Sequence, residues 1–313
     1  YVPSGRYAYI ATALMTVTTA RAAGGEQVVA CSPAGPDVIP APILHALHVA
    51  GVDRVLALGG VPGIAAMALG LFGLPEADIL VGPGNAYVAE AKRQLFGPIG
   101  IDMLAGPTDS MILADAKADP VLVAADLVGQ AEHGATSPVW LITDHRPLAE
   151  AVLRLVPQRI AALPEPNRRA AGDAWAMLGE VMLASTRDEV AEMADSYAPE
   201  HLQVMAADLD WWRNRLRAYG SLFLGAESTV AFGDKASGPN HVLPTSGAAR
   251  HTGGLSVLRF LKTVTWQRSE ADALPDLASA TAVISRAEGM EGHALSADLR
   301  LDTLPTRLRA VGE

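Results

Sequence analysis

Three segments of this 313-residue chain place a histidine near a carboxylate or a carboxamide. The pairs are Gln130 with His133, Glu200 with His201, and Asp234 with His241. Residues three apart share one face of a helix, so the first pair should present both side chains on the same side. A capping or solvated role suffices for any one of these histidines. Three such segments in one chain together favour a shared site.

These residue types suit proton transfer and metal binding. A carboxylate can activate a water molecule, while an imidazole that titrates near neutrality takes the proton of a reacting hydroxyl. Imidazole nitrogens and amide or carboxylate oxygens can also hold one zinc ion without thiolates. Such an ion lowers the pKa of a bound alcohol or water, as the oxidation of an alcohol requires. Because the candidate ligands are far apart in sequence, their spacing leaves this hypothesis open. His45, His48 and His145 need only a core, surface or turn role.

Two glycine clusters could contact a phosphate. They are GGVPG at 59–63 and GPGN at 82–85, and each follows a predicted strand and precedes a predicted helix. Bare backbone N–H groups at a helix N-terminus bind phosphate at the carboxyl edge of parallel sheets. Neither cluster is a GxGxxG motif with an acidic residue about 20 positions later. A nucleotide site and tight strand-to-helix turns therefore both remain open.

The elements that must position these residues alternate strand and helix. Predicted strands cover 27–31, 54–58, 78–81, 110–114, 138–143 and 181–184; predicted helices cover 41–50, 63–70, 85–96, 120–132, 147–163, 187–195 and 208–219. This alternation favours an α/β fold with parallel sheets, and the apolar strands predict burial on both faces. His201 is expected where a helix has ended and a loop begins. The segment 220–254 predicts ordered loops with short strands, and a helical tail follows from Leu255.

Composition narrows the function classes. Half of the residues are hydrophobic and the net charge is −10 without a basic cluster, so nucleic acid and anionic membranes are not expected partners. The longest apolar stretch, 61–74, is shorter than the ~17–25 residues that cross a bilayer. A single cysteine, Cys31, excludes a disulfide framework or a thiolate zinc site and predicts a cytoplasmic location.

Six ordered motifs resemble those of the histidinol dehydrogenase family. They are YVPSG at 1–5, VGPGN at 81–85, IDM with AGP at 101–107, QAEH at 130–133, APEHL at 198–202 and GPNHVLPT at 238–245. The resemblance covers essentially the whole chain. It implies two incomplete Rossmann-like parallel-sheet domains, at 1–107 and 108–255, and a helical tail at 256–313. Because chains of the family extend further at the N-terminus, we expect a segment before Tyr1.

The resemblance also implies an activity: one zinc ion and two successive NAD molecules take a primary alcohol through an aldehyde to a carboxylate, in an intertwined homodimer that shares its active sites. Position by position, it implies zinc and substrate binding by Gln130, His133, Asp234 and His293; further substrate contacts by Thr108, His241 and Glu288; dinucleotide contacts by Tyr1 and Asn85; water activation by Glu200; and a general base in His201. Glu288 and His293 are expected to reach the neighbouring subunit's site.

Two departures bear on the ligands. Pro62 stands where the family has an NAD-contacting glutamine, so that side-chain hydrogen bond is lost or replaced. Lys235 replaces an aromatic residue and would place a cation by the substrate, which suits an anionic head group. This combination resembles the branch that oxidises 2,3-dihydroxypropane-1-sulfonate to sulfolactate. Histidinol as the substrate, a solvated Lys235, and a zinc- or metabolite-binding module without turnover remain the alternatives.

Overall fold

The computed structural model describes residues 1–5, 7–35, 38–104 and 106–302, and its architecture is α/β, as the sequence predicts. The strands are β1 (Val29–Cys31), β2 (Arg54–Leu56), β3 (Ile79–Leu80), β4 (Gly100–Ile101), β5 (Ser110–Ala114), β6 (Val139–Thr143), β7 (Gly179–Leu183), β8 (His201–Met205) and β9 (Ser221–Leu224). The helices are α1 (Ile10–Ala22), α2 (Ala41–Ala50), α3 (Gly60–Ala68), α4 (Ala86–Leu95), α5 (Pro120–Ala131), α6 (Arg146–Ala161), α7 (Asn167–Leu178), α8 (Arg187–Tyr197), α9 (Leu209–Arg215), α10 (Val230–Gly233), α11 (Leu274–Ala287) and α12 (Glu291–Asp302).

The largest sheet has five parallel strands in the order β7-β6-β5-β8-β9. Apolar side chains that alternate along β5 fill two cores. Ile112 packs with α5, α6 and α7 on one face, while Met111 and Leu113 pack with α8 and α9 on the other. The strands at the centre are therefore buried on both faces, as their continuous apolar sequences predict.

Two smaller parallel sheets precede it. β1 pairs with β2 and β3 pairs with β4, with α1 and α2 packed in one cluster and α3 and α4 in another. The prediction of burial on both faces is wrong for β2, where Arg54 and Val55 are exposed. Among the described strands, β2 pairs only with β1, so part of its surface stays exposed.

Several element boundaries differ from the prediction. The prediction of a loop at His201 is wrong, because this residue begins β8, which is buried along its whole length. The helix expected to reach residue 219 ends at Arg215. α1 and α7 were not predicted. α1 has no capping side chain at its N-terminus, and α7 follows Pro166, so neither carries the usual start signal of a helix.

By its internal contacts the chain divides into two compact units, Tyr1–Leu261 and a second one from Lys262 onward. The second unit contains α11 and α12, which pack through small side chains and confirm the predicted helical tail. The finer boundary at residue 107 stays a prediction. In the described ranges no helix is both long enough and apolar enough to cross a bilayer.

Candidate active site

A cavity of about 660 Å³ in the first unit collects most of the predicted site residues. Its lining includes Tyr1, Asn85, Thr108, His133, Glu200, His201, Asp234, Lys235 and His241. Gln130 is buried, at 6% exposure, and does not belong to the lining. Glu288 and His293 lie in the second unit, where both are exposed.

Strand pairing places Glu200 and His201 at the amino edge of the five-stranded sheet. His201 opens β8 opposite Ser110, the first residue of β5. Asp109 precedes β5, and its carboxylate accepts hydrogen bonds from the backbone N–H groups of Glu200 at 2.7 Å and Ser246 at 2.9 Å. The Asp109 N–H in turn donates to Glu200 Oε2 at 3.2 Å. Asp109 was not predicted as a site residue; its only signal is a carboxylate directly before a buried strand.

Both members of the Glu200–His201 pair are buried, at 5% and 3% exposure. Burial raises the pKa of Glu200 to about 8. Burial alone would lower the pKa of His201, but the Glu200 and Asp234 carboxylates outweigh it and raise this pKa to about 9. Among the described atoms, neither ring nitrogen of His201 has a hydrogen-bond partner. A small molecule in the cavity could therefore exchange a proton with this ring.

The carboxylate of Asp234 lies among three imidazoles. Its Oδ1 is 3.5 Å from His201 Nε2 and 3.9 Å from His241 Nδ1, and its Oδ2 is 3.8 Å from His133 Nε2. Burial of Asp234 opposes its ionisation, but the interaction with His201 and then with the other two rings lowers its pKa to about 2. The site therefore has an ionised carboxylate in a cluster of nitrogen donors.

His241 is held by hydrogen bonds at both ring nitrogens. Nδ1 lies 3.0 Å from the backbone carbonyl of Asp234, which can only accept, so Nδ1 carries the hydrogen. Burial lowers the pKa of His241 and favours the neutral ring, whose Nε2 then accepts from the Thr12 hydroxyl at 2.8 Å. Thr12 lies on α1, a helix that the sequence did not reveal, so this partner could not be predicted.

The donor types near Asp234 fit a zinc site. Neutral imidazole is the form that binds zinc, and burial lowers the pKa of His133. His133 Nε2 and Asp234 Oδ2 are 3.8 Å apart, close to the ~3.4 Å between two ligand atoms of a tetrahedral zinc with 2.0–2.1 Å bonds. Gln130 Oε1 accepts from Ser110 Oγ at 3.3 Å. Over the described part of the chain, no three His, Cys, Asp or Glu side chains already form a metal-binding group.

The two glycine clusters follow the carboxyl ends of β2 and β3 and reach the same cavity through Gly60 and Gly84. Gly60 donates its N–H to the Tyr1 hydroxyl at 3.0 Å. Asn85 Oδ1 accepts the N–H groups of Tyr87 and Val88 and caps α4, and Asn85, Ala86 and Tyr87 at the N-terminus of this helix line the cavity. Such a terminus attracts phosphate. Pro62 lies in the first turn of α3, outside the lining.

Gly82 is required by a close approach of two chain segments. Its φ is +113°, and an added Cβ would lie 2.1 Å from the Tyr1 carbonyl oxygen. The buried ion pair of Lys92 with Asp102 holds Gly82 in place. Asp102 Oδ2 accepts the Gly82 N–H at 2.6 Å, and Lys92 Nζ donates to the Gly82 carbonyl oxygen at 3.0 Å. This pair stabilises the loop that leads to Asn85.

Lys235 lies at the junction of this cavity and a smaller neighbour of about 260 Å³, which Tyr7 and Glu132 also line. The side chain is exposed. No acidic residue in the described ranges lies within ion-pair distance of its ammonium group. The cation is therefore available to an anionic group in either cavity.

Comparison with known proteins places the whole first unit and most of the second in one family. The sequence model of the family "Histidinol dehydrogenase" matches residues 1–301. A histidinol dehydrogenase homolog of Ruegeria pomeroyi is 70% identical, over 100% of this chain and 72% of its own length. A sulfopropanediol 3-dehydrogenase of the same organism is 62% identical, over 96% of this chain and 69% of its own length.

A solved structure agrees. The crystal structure of histidinol dehydrogenase from Elizabethkingia anophelis superposes with a TM-score of 0.90 at 33% identity, over 97% of this chain and 70% of that one. Its fold confirms the predicted parallel-sheet architecture. The matched model, the two relatives and this superposition show that the chain belongs to the histidinol dehydrogenase family of oxidoreductases.

Proposed function

We propose that this chain uses NAD and zinc to oxidise a primary alcohol to a carboxylate in two steps, through an aldehyde that stays bound. The observation that carries the proposal is the convergence of Glu200, His201, His133 and Asp234 on one cavity, which the N-terminus of α4 also lines. This arrangement joins proton-transfer groups, metal donors and a phosphate-binding helix end, which the oxidation needs together.

Two bound groups would supply the redox chemistry: NAD accepts hydride from carbon, and zinc, held by Gln130, His133, Asp234 and His293, lowers the pKa of the alcohol. The chain's own residues handle the protons. His201 takes the hydroxyl proton at a ring nitrogen, both of which lack a protein partner among the described residues; because the pKa of this ring is about 9, the neutral form that accepts the proton becomes more populated as the pH rises toward that value. Asp234, 3.5 Å away, stabilises the resulting imidazolium.

Glu200 acts in the second step. Because the pKa of Glu200 is about 8, its carboxylate is ionised at mildly alkaline pH. In that form it takes a proton from the water that adds to the aldehyde, so that the hydrated carbon can give up the second hydride. The side chain is held for this role by the Asp109 N–H, and its Oε2 lies 3.6 Å from His201 Nδ1.

For the substrate we propose 2,3-dihydroxypropane-1-sulfonate, which would give sulfolactate. Support comes from Lys235, which lines the cavity and forms no ion pair with an acidic side chain among the described residues. A sulfonate would pair with that cation, whereas the ammonium of histidinol would be repelled by it. The 62% identity to a sulfopropanediol 3-dehydrogenase also supports this choice over histidinol.

A substrate assay tests the proposal. Zinc-loaded protein with NAD and 2,3-dihydroxypropane-1-sulfonate should form two NADH per alcohol, and histidinol should react with a far lower kcat/KM. A higher kcat/KM for histidinol would reassign the substrate. The absence of NADH with either alcohol would favour the alternative of a binding module without turnover.

We further propose a homodimer that completes the site. The second unit has an alanine interior, formed by Ala278, Ala282, Ala294 and Ala297. Its large apolar side chains, among them Trp266, Val283 and Leu299, are exposed, which is typical of a surface that a partner covers. His293 is exposed on the same unit and could supply a zinc ligand to a second copy.

Mixed variants test the shared site. Chains with His201→Asn and chains with His293→Ala should each be inactive alone. Refolded together, they should regain activity, because one site of each hybrid dimer then has both wild-type residues. A mixture as inactive as its parents would contradict site sharing, and a monomer mass in sedimentation would contradict the dimer.

A further inference from the structure

Asp126 on α5 joins the three chain segments that carry the candidate metal and proton-transfer residues. Its Oδ2 accepts a hydrogen bond from Gln203 Nε2 on β8 at 2.8 Å. Its Oδ1 accepts a hydrogen bond from the Thr229 hydroxyl at 3.1 Å. Among the residues that the structure describes, this carboxylate alone is hydrogen-bonded to both β8 and the N-terminus of α10.

Each of these contacts is close to a site residue in the same element. Asp126 precedes Gln130 by four residues, so both lie on one face of α5. Gln203 follows His201 by two residues on β8, so their side chains lie on the same face of the sheet.

Thr229 forms the N-cap of α10, the short helix that Asp234 ends. Its hydroxyl accepts the Ala231 N–H at 3.3 Å and donates to Asp126. With only four residues, α10 has too few internal hydrogen bonds to fix its own position. The contact with Asp126 therefore matters more here than it would for a longer helix.

We propose that Asp126 is a positioning residue. It fixes the relative positions of three groups: the Gln130–His133 segment, the Glu200–His201 pair and Asp234. The inference rests on the proposed zinc-dependent function. Asp126 does not line the cavity, so its effect would pass through Gln203 and Thr229. Groups hydrogen-bonded directly to a metal ligand typically change metal affinity by 10–100-fold when they are removed; because Asp126 acts one contact further away, we expect a smaller effect, about 3–10-fold.

Asp126→Ala is the main variant, with Asp115→Ala as its matched control. Asp115 is equally half-buried and also joins two elements, because its carboxylate accepts the Ala207 N–H at 2.7 Å. That contact is at the carboxyl ends of β5 and β8, opposite the cavity. Two quantities are measured on the full chain: Zn²⁺ affinity by competition with a chromophoric chelator, and hydrogen exchange of residues 228–235 without metal.

Asp126→Ala should weaken Zn²⁺ binding by about 3–10-fold. It should also speed the exchange of 228–235, whereas Asp115→Ala should change neither. Asp126→Asn should lose less Zn²⁺ affinity than Asp126→Ala, because its amide can donate to Gln203 Oε1, which is buried without a partner in the described chain. If Asp126→Ala fails to fold, Thr229→Asp keeps a side-chain oxygen that can cap the Ala231 N–H but has no hydroxyl to donate to Asp126, so it should show the same two effects.

Equal behaviour of Asp126→Ala and Asp115→Ala in both measurements would overturn the inference. A wild-type protein that binds no Zn²⁺ would instead contradict the proposed function. The hydrogen-exchange rates of residues 228–235 would then still decide whether Asp126 positions α10, since that measurement needs no metal. The two failures are thus distinguishable.

Discussion

The replacement Glu200→Gln should separate the two oxidation steps. Glutamine keeps the volume of the side chain and an oxygen to accept the Asp109 N–H, now at 3.2 Å from Glu200 Oε2. It cannot take a proton from water. General-base catalysis contributes about 10²–10⁴-fold in rate, which corresponds to about 3–5 kcal/mol in the activation free energy of the second step.

The first oxidation should fall much less, by about tenfold or less, because His201 still receives the alcohol proton. The Glu200 carboxylate, 3.6 Å from Nδ1, is the largest of the interactions that raise the pKa of His201, so its loss lowers that pKa from about 9 and leaves more of the ring neutral and able to accept the proton. A single-turnover experiment with excess NAD measures both steps. The wild type should release two NADH per alcohol, and the variant should release one and accumulate aldehyde.

Glu180→Gln is the matched control, because Glu180 is an exposed carboxylate on β7 that accepts a hydrogen bond from the Tyr197 hydroxyl at 3.4 Å. It should leave both NADH equivalents and both rates unchanged. An equal loss of the two steps in Glu200→Gln would refute the division of roles between Glu200 and His201. So would a full second equivalent of NADH at the wild-type rate.

Three further replacements test other parts of the site. His133→Ala should lower the zinc content in elemental analysis of the purified protein to well below that of the wild type, and unchanged zinc would contradict this ligand. Lys235→Tyr should raise KM for the sulfonate with little change in kcat, and an unchanged KM would mean that the lysine is only solvated. Asp109→Ala leaves the buried Glu200 N–H without its acceptor, which should lower the free energy of unfolding in urea by about 1–3 kcal/mol. Asp109→Asn retains an acceptor oxygen, so its free energy of unfolding should fall less than that of Asp109→Ala. Equal decreases in the two variants would mean that the charge of Asp109, not its hydrogen bond, contributes the stability.

The sequence predicted the elements whose signals are local. β5 and α2 have the predicted bounds, because an apolar run or a proline in the first helical turn marks them directly. β8 was not predicted: a loop was expected at the polar His201, whose side chain is in fact buried at the start of this strand. Burial of a polar residue depends on partners far along the chain, and for His201 these are Asp109 and Asp234.

The candidate site was predicted as a set of residues but not as a geometry. Motif resemblance indicated His133 and Asp234, which lie 101 positions apart along the chain and 3.8 Å apart in space. It gave no sign of Thr12 or Asp126, whose roles come only from the contacts of their helices. Hydrogen bonds between distant elements have no periodicity, so neither composition nor spacing reveals them.

The cavity is lined by residues from the carboxyl edges of the two small sheets and from the amino edge of the large sheet. In the proposed function, these two edges would bind the dinucleotide and the substrate respectively. The glycine clusters follow the carboxyl ends of β2 and β3, where the N-terminus of α4 lines the cavity and attracts phosphate. Glu200 and His201 come from the amino edge of the five-stranded sheet. Parallel sheets usually bind ligands at their carboxyl edges, so the small sheets follow the rule and the large sheet does not. Under the proposed function, the small sheets would hold a dinucleotide by its phosphates, and the large sheet would supply the proton-transfer groups from its amino edge. The substrate carbon would then lie between the two, which is the placement that hydride transfer requires.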